Sequence, residues 1–194
     1  MKRQRDDPIK DSIVWLNLKT TGTNFVLEVA CLITDKDLQI KSPCFKAAVH
    51  YGLSDLEKMT LASDFAKSGL KKDCLQSPYS LESVESALSQ FIKDRVDIRT
   101  CVLGGSDLDR TLLDKHLHLV SALFSQSFID TSSLKEICWR WYPTIYSKRP
   151  RMVTTHRALD EVKKSIEIFQ WYQKNIFAPP KRNRLITLSL PRPI

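Results

Sequence analysis

No apolar run in this 194-residue chain approaches the roughly 18 residues that a membrane-spanning helix needs. The first eleven residues mix Lys2, Arg3 and Arg5 with Asp6, Asp7 and Asp11 and contain no apolar segment, so they do not read as a secretory signal. Their acids also argue against a mitochondrial transit peptide. There is no C-x-x-C pair. The cysteines, Cys31, Cys44, Cys74, Cys101 and Cys138, are odd in number and widely spaced. That excludes an evident disulfide framework or zinc site and points to a reducing, intracellular compartment, cytoplasm or nucleus. No internal repeat is visible. No acid occurs from Ala178 to Ile194, where Lys181, Arg182, Arg184 and Arg192 carry half of the net charge of +8. This Pro-containing stretch reads either as a solubilising tail or as a contact for phosphates or a partner.

What is present suits one globular domain: 42% hydrophobic and 27% charged residues are enough for a single core. The expected organisation is a flexible N-terminus over 1–11, a folded domain over 12–177 and the basic tail over 178–194. Ile13 to Leu18 reads as a buried strand, Thr20 to Asn24 as a turn, Phe25 to Thr34 as a second strand and Lys46 to Tyr51 as a third, paired antiparallel. Leu53 to Leu70 has helical character ending near Gly69. Ser80 can cap a helix whose apolar residues are Leu81, Val84, Leu88, Phe91 and Ile92. Cys101 to Leu103 is a strand closed by Gly104-Gly105, Leu108 to Phe124 a helix, and Ser127 to Asp130 a short strand. Ser133 and Glu136 form a capping box for a helix from Leu134 to Trp141, stopped by Pro143. Thr154 or Thr155 can cap the last helix, with Leu159, Val162, Ile166, Phe169, Tyr172 and Ile176 on one stripe and Pro179-Pro180 at its end. The order is that of an α/β domain with a mixed sheet.

Several short motifs follow one another along this frame. They are Trp15-Leu16-Asn17-Leu18-Lys19-Thr20-Thr21-Gly22, Glu28 to Asp35, Lys67-Ser68-Gly69-Leu70, and Gly104-Gly105-Ser106 with Asp109-Arg110. Ile129-Asp130, Lys135-Glu136, Arg140-Trp141-Tyr142-Pro143, His156-Arg157-Ala158-Leu159-Asp160-Glu161 and Tyr172 to Phe177 complete the series. In this order, from about Ile13 to Phe177, the chain resembles the oligoribonucleases, most closely the animal type. The resemblance implies a ribonuclease-H-like DEDDh exonuclease fold, with a mixed sheet flanked by helices, and usually a homodimer. It implies Mg²⁺ or Mn²⁺ as cofactor, two ions about 3.5–4 Å apart held by four carboxylates, and a histidine that helps activate water. The implied substrate is very short RNA, shortened from its 3′ end. Mitochondrial placement occurs within the resemblance.

The carried-over site is incomplete. Asp109, His156 and Glu161 match the third carboxylate, the histidine and the last carboxylate, and Asp109 and Glu161 are the remaining candidate metal ligands. Asn17 stands for the first Asp and Lys19 for the Glu, and as i and i+2 on a strand both face the same way. The four positions sum to −1 instead of −4. A Lys ammonium ~4 Å from a divalent cation costs about 8 kcal/mol at an effective dielectric of ~20. Lys19 is therefore expected to fill metal space and pair with Asp109 and Glu161, or else to extend to solvent. The substrate side is reduced too. Ser125-Gln126-Ser127 stand where the resemblance implies an aromatic and an Arg reaching across a dimer, and Leu61, Ala62 and Phe65 occupy the region where it implies a Trp.

Structural readings stand beside these. His156 can be retained as a helix-entry residue and Asp109 as a partner of its helix dipole. Trp139 and Trp141 read as core and interface residues, and His116 and His118 diverge on a helix. Ser106, Lys181, Arg182 and Arg184 are candidate nucleic-acid contacts. The expected function is an oligoribonuclease-like 3′→5′ exoribonuclease homologue that is catalytically weak or inactive. The alternatives are a slow working exoribonuclease, or a non-catalytic module binding RNA or a partner. The candidate partners are a second copy, a catalytic paralogue in a heterodimer, and short RNA.

Overall fold

A computed structural model describes residues 8–21, 25–59, 68–124, 127–151 and 155–177. Expectations placed on 1–7, 22–24, 60–67, 125–126, 152–154 and the tail 178–194 lie outside the described residues. β1 (Ile13–Thr21), β2 (Phe25–Thr34) and β3 (Phe45–Ala48) are followed by α1 (Leu53–Lys58), α2 (Leu70–Gln76) and α3 (Leu81–Lys93). Then come β4 (Val102–Gly105), α4 (Asp107–His116), α5 (His118–Ser121), β5 (Phe128–Asp130), α6 (Thr131–Trp141), α7 (Pro143–Tyr146) and α8 (Ala158–Tyr172). A π-helical turn, Gln173–Phe177, closes the described chain.

The sheet order is β3-β2-β1-β4-β5. β1 runs antiparallel to β2, and β2 to β3, while β1/β4 and β4/β5 are parallel. This is the mixed sheet expected, with crossover helices after β3 and β4 as parallel pairing requires. β1 continues to Thr21, past the expected end at Leu18, because β-branched Thr20 and Thr21 sustain it beyond an irregularity between Lys19 and Thr20.

Strand alternation divides the core. Val14, Leu16 and Leu18 face α3, α4 and α5, meeting Leu88, Ile92, Leu112, Leu113 and Leu117. Trp15, with Ala30 and Leu32 of β2, faces α8, meeting Val162, Ile166, Phe169 and Tyr172. Trp15 donates from Nε1 to Thr34 Oγ1 at 3.0 Å and packs edge-on to Phe169. By the same parity Asn17 and Lys19 project on the α8 side.

Four expected boundaries change. The helix expected over Leu53 to Leu70 stops first at Met59 (φ −73°, ψ 128°), and Gly69, at a φ of 74° that is a left-handed conformation open to glycine, leads directly into α2. The helix expected over Leu108 to Phe124 breaks at Leu117 (φ −130°, ψ 65°) into α4 and α5. α6 is capped not by Ser133 but by Asp130, whose carboxylate accepts from the backbone of Ser132 and Ser133 at 3.0 Å each. Pro143 does not merely stop α6 but opens α7 from its first turn, where a missing N–H costs nothing.

Trp139 and Trp141 are 52% and 70% exposed, which corrects their expected place in the core. Among the described residues no helix is long and apolar enough to cross a membrane.

Candidate active site

β1 and β4 lie parallel, and α4 begins just past the end of β4. Ser106 caps α4: its hydroxyl accepts from Asp109 N at 3.2 Å and donates to Asp109 Oδ2 at 2.5 Å, while Ser106 N donates to the same oxygen at 3.1 Å. This reciprocal box turns the Asp109 carboxylate back toward β1. Gly105 makes the approach feasible, since a Cβ there would lie 3.0 Å from Leu16 O and 3.5 Å from Asp109 Cβ.

Asp109 is 6% exposed, and a buried carboxylate must be hydrogen-bonded or neutralised. Here Leu18 N donates to Oδ1 at 2.9 Å, and Asn17 Nδ2 reaches Oδ1 at 3.1 Å and Oδ2 at 3.2 Å. Four donor groups, the Asn17 amide, Leu18 N–H and the N–H and O–H of Ser106, surround the two oxygens. That matches the acceptor capacity of a carboxylate. The Asn17 amide lies across both oxygens, with its positive end facing the charge. Its own Oδ1 is buried and accepts no hydrogen bond from the described residues.

Lys19 forms no ion pair with Asp109 or Glu161 among the described residues, which corrects the expected pairing. The reason is local: Asn17 and Leu18 N–H already occupy Asp109, and Glu161 takes Lys164 three residues along α8, at 3.1 Å. Ser106, a candidate nucleic-acid contact, spends its hydroxyl inside the α4 cap. His156 is exposed, in a left-handed conformation (φ 58°) on the turn that enters α8. His116 closes α4 and His118 opens α5, on either side of the Leu117 break. Among the described residues no group of three or more His, Cys, Asp or Glu side chains is arranged to hold a metal ion. Asp109 with committed oxygens, Glu161 tied to Lys164, and an amide and an ammonium at positions 17 and 19 do not fit two divalent cations.

The sequence reading missed a second centre on the same sheet face. Glu28, opposite Lys19 in the β1/β2 register, is fully buried. Arg157 Nε lies 3.1 and 3.2 Å from its two oxygens and Nη2 2.6 Å from Oε1. Ala158 N donates to Oε2 at 2.7 Å, and Lys46 Nζ lies 3.4 Å from Oε1. Glu28 thereby caps α8, in place of the expected Thr155 (Thr154 lies outside the described residues), and faces the positive end of its dipole. Thr155 instead hydrogen-bonds the side chain of Asp160. Arg157 also donates to Ser68 O at 3.1 Å and pairs with Asp73 at 2.5 Å. Its guanidinium pKa is pushed upward, first by the hydrogen bonds it donates to Glu28 and against the effect of burial. Three of the motifs, those containing Glu28, Ser68-Gly69 and Arg157, meet at this ion pair. Their presence together in the sequence was the signal that could have revealed it.

No family model matches the chain. The fold comparison is clear. Exonuclease I from Methylocaldum szegediense superposes with a TM-score of 0.63 at 13% identity, over 86% of this chain and 41% of that one. Cell-death related nuclease 4 superposes at 0.62 and 16%, over 86% of this chain and 64% of that one. The chain thus spans about four tenths of the exonuclease I chain. These likenesses define a ribonuclease-H-like exonuclease fold. At the level of sequence, a probable oligoribonuclease of Drosophila melanogaster is 34% identical over 173 residues, 85% of this chain and 82% of its own length. The mitochondrial oligoribonuclease of Homo sapiens is 33% identical, covering 85% and 73%. The oligoribonuclease of Mycobacterium leprae is 31% identical over 179 residues, covering 88% and 83%. The chain belongs to the oligoribonuclease family.

Proposed function

We propose that this chain is a silenced oligoribonuclease: its ancestry is 3′→5′ exoribonuclease, and its own hydrolysis of short RNA is lost or reduced to a trace. One observation carries the reading. The buried Asp109 carboxylate is saturated by internal donors, and the Asn17 amide covers the two oxygens a cation would need. Freeing them would break charge-assisted hydrogen bonds worth about 1.5–3 kcal/mol each. Lys19 adds a positive charge on the same face, and Glu161 is engaged by Lys164. Loss of Mg²⁺ and Mn²⁺ binding is part of the same proposal. The work left to the fold is then binding, in an intracellular setting, to short RNA, to a second copy or to a catalytic paralogue.

The test is turnover of an end-labelled RNA dinucleotide in Mn²⁺ by the wild type beside Asn17→Asp/Lys19→Glu. No product from wild type and product from the double variant is the expected result. Wild-type turnover abolished by Asp109→Ala would establish a divergent working exoribonuclease instead.

A further inference from the structure

A cleft of about 640 Å³ runs beside α8 from Glu161 to Tyr172, walled by the start of α6 and by the segment after α7. Four cations line it: Lys135 of α6, Arg149 and Arg151 after α7, and Lys164 of α8. The one carboxylate among the described lining residues, Glu161, is already paired with Lys164. The lining therefore carries an excess of three positive charges. Low-dielectric walls beneath such charges strengthen their field. The floor is neutral: Tyr172 is 1% exposed, and burial pushes its phenol up to about 12. Arg149 lies flat over Tyr146, its Cζ 3.9 Å from the ring centroid, and Nη1 donates to Tyr146 O at 3.2 Å. This fixes one guanidinium at the wall before any ligand arrives, which lowers the ordering cost of binding.

The aromatic content of the cleft separates two kinds of anion. Single-stranded nucleic acid is held by exposed aromatic faces on which bases stack. Both rings of this lining are buried, and the face of Tyr146 is taken by Arg149. Charge is plentiful and stacking surface is missing from the described lining. We propose that the cleft is a binding site for a small polyphosphate, free or carried by a nucleoside. Lys135, Arg149 and Arg151 take up its phosphate oxygens. The inference does not rest on whether the Asp109 centre hydrolyses anything.

Calorimetric titration of the full chain with inorganic pyrophosphate, ADP, adenosine and a 5′-hydroxyl RNA trinucleotide tests it. Pyrophosphate and ADP are expected to saturate and adenosine not to bind. ADP binding tighter than pyrophosphate marks a nucleoside polyphosphate site, and equal binding a site for the polyphosphate alone. Lys135→Ala/Arg151→Ala removes two exposed side chains, so the fold is kept, and binding should fall about tenfold or more. Raising salt from about 50 to about 300 mM should weaken it further. The proposal is overturned if neither phosphate compound saturates, if the double variant binds as the wild type does, or if the trinucleotide binds more tightly than ADP. Loss of binding on substituting Lys181, Arg182 and Arg184 with alanine, with Lys135 and Arg151 intact, overturns it too.

Discussion

Two buried carboxylates stand on this sheet, and they are compensated in opposite ways. Glu28 meets full charges, the Arg157 guanidinium at hydrogen-bond distance and Lys46 at 3.4 Å, together with the first N–H of α8. Among the described residues Asp109 meets only dipoles: an amide, two backbone N–H groups and a hydroxyl. The first centre ties β2, the segment before α2 and the entry to α8 into one unit, and it is complete without a ligand. In the two-metal sites implied by the family, the second centre is where cations would supply the missing charge. Here neutral groups of the chain fill that role. On the proposed reading the fold keeps its architecture while its reaction centre is closed, because the two depend on different carboxylates.

The largest effect is expected where full charges meet. Arg157→Ala leaves Glu28 buried without its main partner and removes the ion pairs at the entry to α8. A loss of about 3–5 kcal/mol in denaturant unfolding is predicted, as for other broken buried pairs. A loss below 1 kcal/mol would dissolve the contrast between the centres. Next comes Asn17→Asp, which sets a second carboxylate against Asp109. Two like charges at about 4 Å repel by about 4 kcal/mol at an effective dielectric of ~20. The variant should melt well below the wild type in chelator and recover in millimolar Mn²⁺, whereas the wild-type melting temperature should ignore Mn²⁺. Ser106→Ala removes one donor to Asp109 and the α4 cap, a loss of about 1–2 kcal/mol seen in the same unfolding measurement.

The smallest effect separates these centres from an ion pair at the surface, where Asp97 is held by an exposed Arg99. Asp97 is held at about 2, first by the Arg99 side chain and then by the Arg99 backbone N–H. Its folded pKa lies below its unfolded value near ~3.9, so its contribution is present above that value and is lost as pH falls toward 2. Asp97→Asn should flatten the acid limb of the stability curve between about pH 4 and 2, because the contribution is then missing at neutral pH as well as in acid. An unchanged limb would show that the pair contributes nothing.

Much of this was legible in the sequence. The bounds of β2 followed from its run of apolar and β-branched residues, and strand alternation set Asn17 and Lys19 on one face. The stripe on α8 named Val162, Ile166, Phe169 and Tyr172, which pack on the sheet. What escaped were consequences of three-dimensional approach. Counting formal charges at Asn17, Lys19, Asp109 and Glu161 assigned the counter-ion to Lys19 and overlooked Asn17, because an amide counts as zero. The partner of Glu28 lies 129 residues away, beyond any local pattern. The helix that follows Gly69 was not foreseen, since it is held by the packing of Leu70 and Cys74 with Leu27 and Leu56, contacts that no local pattern shows.

The most direct test of the claim that Asn17 and Lys19 close the metal centre is Mn²⁺ binding, followed by electron paramagnetic resonance, to the wild type and to Asn17→Asp/Lys19→Glu. The account predicts no saturable site in the wild type and saturable, coupled Mn²⁺ in the double variant. Two ions bound by the wild type as tightly as by the variant would contradict it.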